Sequence, residues 1–247
     1  MKIMGEGKLE KLYDEIAENF LFTRTGAKGD SGFFNREMEQ PITFKLVPKN
    51  LKNKKLLDVG CGPGIHLKEY IKRGVIGTGI DLSEKMINLA KDYCPQAKFK
   101  KGNVYNLPFE DKSFDIVTAS FILDHLKNLE KGIKEIERVL KVGGLFIFSV
   151  PHPIQNMFRE EDNNLFVPTN TYFDTKERYL EIAGSKEEMV DYSRQIQEYI
   201  NTLIKNGFIL QEFVENQPDS TWKEKYKNIG GNIFKIPFIC FFKWVKK

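Results

Sequence analysis

Apolar side chains recur at three- and four-residue steps through Leu9, Leu12, Tyr13, Ile16 and Phe20, which predicts an opening amphipathic helix. A polar loop over 25–35 carries Gly26, Gly29 and Gly32. The spacing predicts a second helix over 36–47, in which Pro41 is an awkward member. From residue 55 the pattern alternates between short apolar runs and helical periods. Strands are predicted over 55–60, 75–80, 97–100, 114–121 and 145–150. Helices are predicted over 65–72, from the Ser83 cap to Tyr93, and over 128–140, with Gly143 and Gly144 breaking the chain after the last of them. Such alternation predicts a parallel sheet with helices on both faces.

Beyond residue 150 the pattern becomes irregular and aromatic. A strand within 172–182 is predicted to pair with 188–192, and a helix over 193–206 stops at Gly207. Strands over 208–215 and 236–245 have no helix between them, which predicts an antiparallel pair. The reading is a single domain over 1–247. It comprises a helical cap (1–55), a core (56–150), a lid-like insertion (151–194), and a helix with a terminal strand pair (195–247).

Composition narrows the function classes. At 41% hydrophobic and 29% charged, with 20 phenylalanines, the chain has ample core material and is not of the disordered class. No apolar run reaches the length of a membrane span. The net charge of +4 arises from interspersed signs, which argues against a nucleic-acid partner. Cys61, Cys94 and Cys240 lack metal-ligand spacing and fit a reducing, cytoplasmic setting with no metal site. The first eight residues have no apolar signal core.

The most informative stretch is Leu56-Leu57-Asp58-Val59-Gly60-Cys61-Gly62-Pro63-Gly64, between a predicted strand and a predicted helix. Glycines let a ligand approach the backbone, and a helix start offers free N–H groups. Ile65 stands where a dinucleotide fingerprint needs its third glycine, which counts against a nicotinamide dehydrogenase. Asp81, about 20 residues on at a strand end, suits both hydroxyls of a ribose. Asn103 and the Val104 N–H follow the third strand, within reach of an adenine beside that ribose.

These residues carry a resemblance. Asp58–Gly64, Asp81 in Ile80-Asp81-Leu82-Ser83, and Asn103-Val104-Tyr105-Asn106-Leu107-Pro108-Phe109 resemble the class I S-adenosylmethionine-dependent methyltransferases, in the small-molecule type 11 branch. Leu123-Asp124-His125-Leu126 and Arg138-Val139-Leu140-Lys141-Val142-Gly143-Gly144 continue the match. The resemblance implies a Rossmann-like, doubly wound, seven-stranded α/β sheet, mostly parallel with an antiparallel last strand. It implies that Gly60, Cys61 and Gly62 pass under the methionine and ribose of the cofactor, and that Asp58 orients this turn. Asp81 would hold the ribose, Leu82 and Met86 would pack on the adenine, and Ser120 and Phe121 would face the methionine. Asn103 stands where the family usually has Asp.

Methyl transfer from a sulfonium is an in-line displacement that needs alignment, and needs a base only when the acceptor must lose a proton. His152 and His125 are the base candidates, since both follow strands of the sheet, while His66 reads as a helix first-turn residue. Tyr13, Phe20, Arg24, Tyr172, Phe173, Tyr192 and Arg194 are the acceptor-pocket candidates, the two arginines suiting an acidic acceptor. The expected function is methyl transfer to a small organic acceptor, releasing S-adenosylhomocysteine. Methylation of RNA or protein, and binding of the cofactor without catalysis, are the alternatives.

Overall fold

A computed structural model describes residues 6–25, 32–161, 165–168, 172–173, 177–181, 185–222 and 235–247. The 26–31 segment, with Gly26 and Gly29 of the predicted polar loop, lies outside them. The first helix, α1, runs Glu6–Thr25. A π-helical turn over Phe34–Glu39 leads into α2 (Gln40–Leu46). The two are continuous, with the Gln40 N–H donating to the Asn35 carbonyl five positions back, and Pro41, which has no N–H to give, falls at the junction where the spacing changes.

The core alternates as its sequence predicts: β1 (Lys55–Val59), α3 (Ile65–Lys72), β2 (Ile76–Asp81), α4 (Glu84–Tyr93), β3 (Lys98–Lys101), β4 (Phe114–Ser120), α5 (Leu129–Val139) and β5 (Leu140–Pro151). Ser83 caps α4 by accepting the Met86 N–H at 3.1 Å, and Asn128 caps α5 by accepting the Lys131 N–H at 3.0 Å. One boundary differs from expectation. Gly143 and Gly144 do not separate α5 from its strand, because β5 begins at Leu140 and contains both. The register of β5 against β4 jumps between Phe114 and Ile116, so the glycines sit in an irregularity of the ladder.

Next come the hairpins β6 (Phe158–Glu161)–β7 (Leu165–Pro168) and β8 (Glu177–Glu181)–β9 (Glu188–Tyr192), both antiparallel. The second is the pairing predicted; the first gave no signal in the sequence. Helix α6 (Ile196–Lys205), β10 (Phe208–Glu215) and β11 (Ile239–Lys246) complete the order.

The main sheet has the order β10-β11-β5-β4-β1-β2-β3. Strands β1 to β5 pair in parallel, and β11 runs antiparallel to both neighbours. This is the Rossmann-like seven-stranded architecture expected. One face buries Ile133, Ile136, Tyr199 and Leu203 against Phe146, Phe148 and Phe242; the other packs Leu46, Leu67 and Tyr70 over Leu56 and Phe241. The chain proceeds from β1 outward through β2 to β3, then returns to place β4 on the other side of β1. A crevice opens at such a reversal, beyond the carboxyl ends of the strands. Helix α1 lies beside it, packing Leu12, Ile16 and Ala17 with Met86 of α4.

Candidate cofactor and acceptor site

The floor of the crevice is the turn after β1. Gly60, Gly62 and Gly64 have φ of +67°, +50° and +81°, a region that side-chain-bearing residues adopt at a cost. The Gly60 and Cys61 N–H groups donate to the Ile80 carbonyl at 2.8 and 3.0 Å, pinning the turn to β2. Asp81 completes the clamp: its carboxylate accepts the Gly62 N–H at 2.8 Å and the Ser83 N–H at 2.9 Å. It also lines the crevice, where its remaining lone pairs can accept from a ligand. Burial raises its pKa, opposed by the N–H donors of Ser83, Gly62 and Leu82. Beneath the turn, Asp58 is 2% exposed and accepts the Thr118 hydroxyl at 2.7 Å. Burial pushes its pKa up to about 6, against the nearby His66.

Leu82, Met86, Asn103 and Val104 line one end, an apolar slot with a polar tip. Asn103 Oδ1 accepts the Tyr105 N–H at 2.9 Å, so its amide nitrogen carries the donors left for a base edge. Ser120 and Phe121 line the wall after β4. Phe121 holds φ of +54°, an outlier for a bulky residue, with its N–H on the Ser149 carbonyl at 3.0 Å. Strain of this kind persists where the surroundings fix the backbone, and it gathers at binding sites.

Tyr13, Phe20 and Arg24, three of the acceptor-pocket candidates, line the same crevice from α1. The Arg24 guanidinium lies 3.2 Å from the centre of the Phe20 ring. Burial lowers its pKa to about 10, opposed by Tyr13 and Glu39. His66 lines the crevice too, and it is more than a first-turn helix residue. Its Nε2 meets Glu39 Oε2 at 2.9 Å, while Glu39 Oε1 accepts Thr43 at 2.7 Å and Ser149 at 3.1 Å. Glu39 is fully buried and had no signal in the sequence; its partners His66 and Ser149 are 27 and 110 positions away.

Burial works against both charges of this pair, yet each holds the other ionised. His66 is raised above 6.5 by Glu39, and Glu39 is lowered below 4.5 by His66 and its hydroxyl donors. The His66 contribution to stability is therefore complete below pH 6.5 and lost as pH rises through its elevated pKa. The Glu39 contribution is present above pH 4.5 and lost as pH falls through its depressed one. Glu39→Gln is expected to destabilise the fold by about 3 kcal/mol, because one charge loses its buried partner. Urea denaturation checks this, with the largest gap from wild type between pH 4.5 and 6.5.

The remaining expected residues divide. His125 lines the crevice. His152 does not: it is 5% exposed, its Nε2 meets Glu215 Oε1 at 2.8 Å, and its Nδ1 accepts the Ile154 N–H at 3.1 Å. Nε2 thus ties the end of β5 to β10 and Nδ1 caps the turn over Pro153–Asn156, so both ring nitrogens are committed and His152 does not stand in the crevice where a base was expected. Arg194 is also outside the lining. Its guanidinium donates to the carbonyls of Leu123, Leu126, Lys127 and Tyr192 and to Glu198, so it anchors the loop after β4 and has no donor spare for an acceptor. Tyr172 accepts the Ile196 N–H at 3.3 Å, Tyr192 lies under the Arg194 guanidinium, and Phe173 is 76% exposed; none of the three lines the crevice. Asn35, at the end of the predicted loop, and Gln40, in the predicted second helix, also line it, and neither carries a signal in the sequence.

No group of three metal-ligating side chains lies together among the described residues. No helix among them is long and apolar enough to cross a membrane.

The family model described as a methyltransferase domain matches residues 57–148. An uncharacterized protein of Haemophilus influenzae is 32% identical over 240 residues, covering 89% of this chain and 92% of its own. A ubiquinone biosynthesis O-methyltransferase of Coxiella burnetii is 33% identical over 115 residues, 44% of this chain and about half (49%) of that protein. Among solved structures, one from Listeria monocytogenes, assigned as an S-adenosylmethionine-dependent methyltransferase, superimposes with a TM-score of 0.73 at 27% identity. It covers 84% of this chain and 96% of its own. The glycine cradle, the clamped Asp81 and the apolar slot fit S-adenosylmethionine, which supplies, when bound, an electrophilic methyl on sulfur. Strand order, turn geometry and these likenesses agree: the chain belongs to the class I S-adenosylmethionine-dependent methyltransferases, in the type 11 branch.

Proposed function

We propose that the methyl acceptor is a small organic molecule bearing a carboxylate, held at the α1 end of the crevice. The observation carrying this reading is Arg24. Among the described residues its guanidinium has no carboxylate partner, and it faces the crevice stacked on Phe20. A partly desolvated guanidinium of this kind favours a planar anion that takes two parallel hydrogen bonds. The roof supports a small acceptor: Leu9, Tyr13 and Phe20 of α1 line the crevice, leaving a macromolecule little access. The ubiquinone-pathway relative, by its name an O-methyltransferase, is consistent with such an acceptor.

The functional groups of this chain divide the work. Asp81 and the glycine turn hold and orient the cofactor, Asp58 supports the turn from below, and α1 excludes water. The test is a screen of small acids and their amides for S-adenosylhomocysteine release. Arg24→Gln is expected to raise KM for acidic acceptors by about 10- to 100-fold, the worth of a charge-assisted pair, with the amides unaffected. S-adenosylhomocysteine affinity should stay within about twofold. If that affinity falls by the same factor as the KM rises, Arg24 holds the carboxylate of the cofactor, and the acidic-acceptor reading fails.

A further inference from the structure

Tyr13, His125 and Asp124 meet at one point of the crevice wall, and their hydrogen bonds define a direction. His125 Nδ1 lies 3.2 Å from the Val190 carbonyl oxygen of β9. A carbonyl can only accept, so Nδ1 carries the proton and Nε2 presents its lone pair. The Tyr13 hydroxyl lies 3.2 Å from Nε2 and 3.7 Å from Met189 Sδ; a thioether is the weaker acceptor and the imidazole nitrogen is nearer, so the hydroxyl donates to Nε2. Asp124 Oδ2 stands 4.0 Å from the same Nε2. Its other oxygen, Oδ1, is buried without a hydrogen-bond partner among the described residues. Such an orphaned carboxylate oxygen is costly and calls for an explanation. The other buried carboxylate of this region, Asp191, is already taken by Arg178 through two bonds of 2.7 Å. Asp124 is thus the uncommitted negative charge beside the imidazole. Burial also raises the pKa of the Tyr13 phenol, which keeps it protonated and able to pass a proton rather than hold a charge.

Resting on the methyltransferase assignment, we propose that Tyr13 and His125 form a two-step proton relay for an acceptor that reacts through a hydroxyl oxygen, with Asp124 as a positioning residue. The acceptor hydroxyl donates to the Tyr13 oxygen, and Tyr13 donates to His125 Nε2. As the acceptor oxygen forms its bond to the methyl carbon, the carbon–sulfur bond breaks and its electron pair stays on sulfur. The acceptor proton passes to Tyr13, and the Tyr13 proton passes to Nε2. The result is a methyl ether, a neutral thioether and an imidazolium between the Val190 carbonyl and the Asp124 carboxylate. No oxidant, metal or further reactant is required. The dyad draws Tyr13 from α1 and the loop after β4 to β9, so it exists only when α1 lies against the crevice; base and water exclusion are assembled together.

The probe is 4-hydroxy-3-nitrobenzoate, a nitrophenol that also carries a carboxylate for Arg24 and whose phenolate absorbs at longer wavelength than the phenol, titrated into the protein with S-adenosylhomocysteine bound. At about one pH unit below its free midpoint the phenol is mostly protonated in water. Bound to wild type it is expected to show the phenolate band. Tyr13→Phe and, independently, His125→Gln should abolish the band, with S-adenosylhomocysteine affinity within about threefold of wild type. Asp124→Asn should weaken the band, and with turnover it should lower kcat and leave KM unchanged. In turnover across substituted phenols, the loss in Tyr13→Phe should be greatest for the least acidic and shrink as acidity rises. A phenolate band equal in wild type and variants overturns the relay, as does a cofactor-bound protein that binds no phenol. Absence of S-adenosylhomocysteine binding in wild type would be a different failure, that of the methyltransferase assignment.

Discussion

Asp81→Ala is expected to weaken S-adenosylhomocysteine binding by about 100-fold, or close to 3 kcal/mol. Two effects add. The ribose loses a charged acceptor, and a hydrogen bond to a charged group is worth about 1.5–3 kcal/mol. The Gly62 and Ser83 N–H groups also lose the carboxylate that ties the β1 turn to the start of α4. A ligand variant separates the two. Calorimetry with an analogue lacking both ribose hydroxyls should show only the bracing loss, so its affinity should fall far less. Asp81→Asn keeps one acceptor and should lie between. Equal losses for both ligands would move Asp81 from ribose binding to turn support.

The second large effect is Gly60→Ala. A Cβ at Gly60 would stand 1.9 Å from Ile122 Cδ1 and 2.4 Å from Cγ1, on a backbone at φ +67°. The left-handed conformation costs a non-glycine residue about 1–2 kcal/mol. Displacing Ile122 adds an overpacking cost of about 1–3 kcal/mol. The sum, about 3 kcal/mol, is expected in urea denaturation, together with at least about a tenfold loss of cofactor affinity, because Ile122 is itself a wall of the crevice. Adding Ile122→Ala should recover the clash but not the backbone strain. Full recovery would mean that φ at this turn is not under constraint.

The parts of the site that the sequence made legible are those whose partners are near in the chain. The β1 turn, Asp81 and the Ser83 cap lie within one strand–helix–strand unit, and their spacing alone places them together. The Glu39–His66 pair was illegible, because the π-helical turn that aims Glu39 inward shows no pattern of its own. His152 misled for the opposite reason. It does follow β5, but Glu215, which claims its Nε2, is 63 positions further on. Arg194 likewise carried a charge that suggested a ligand, and its claimants are carbonyls about 70 positions earlier, in Leu123 and Leu126. Side-chain type names what a residue can do; only the long-range fold decides what is left free to do it.

Strand β11 is the last described strand in the chain, yet it fills an interior slot of the sheet between β5 and β10. A polypeptide made from its N-terminus therefore completes the whole cofactor cradle well before residues 239–246 leave the ribosome. Until then β5 presents an open edge carrying Phe146 and Phe148, and β10 has nothing to pair with. A chain that folds as it emerges would pass through a stage that holds the crevice-lining residues but leaves the β5 margin unpaired. A cofactor that binds early would stabilise this half-built sheet by mass action, so cellular S-adenosylmethionine would act on the yield of folded protein as well as on turnover.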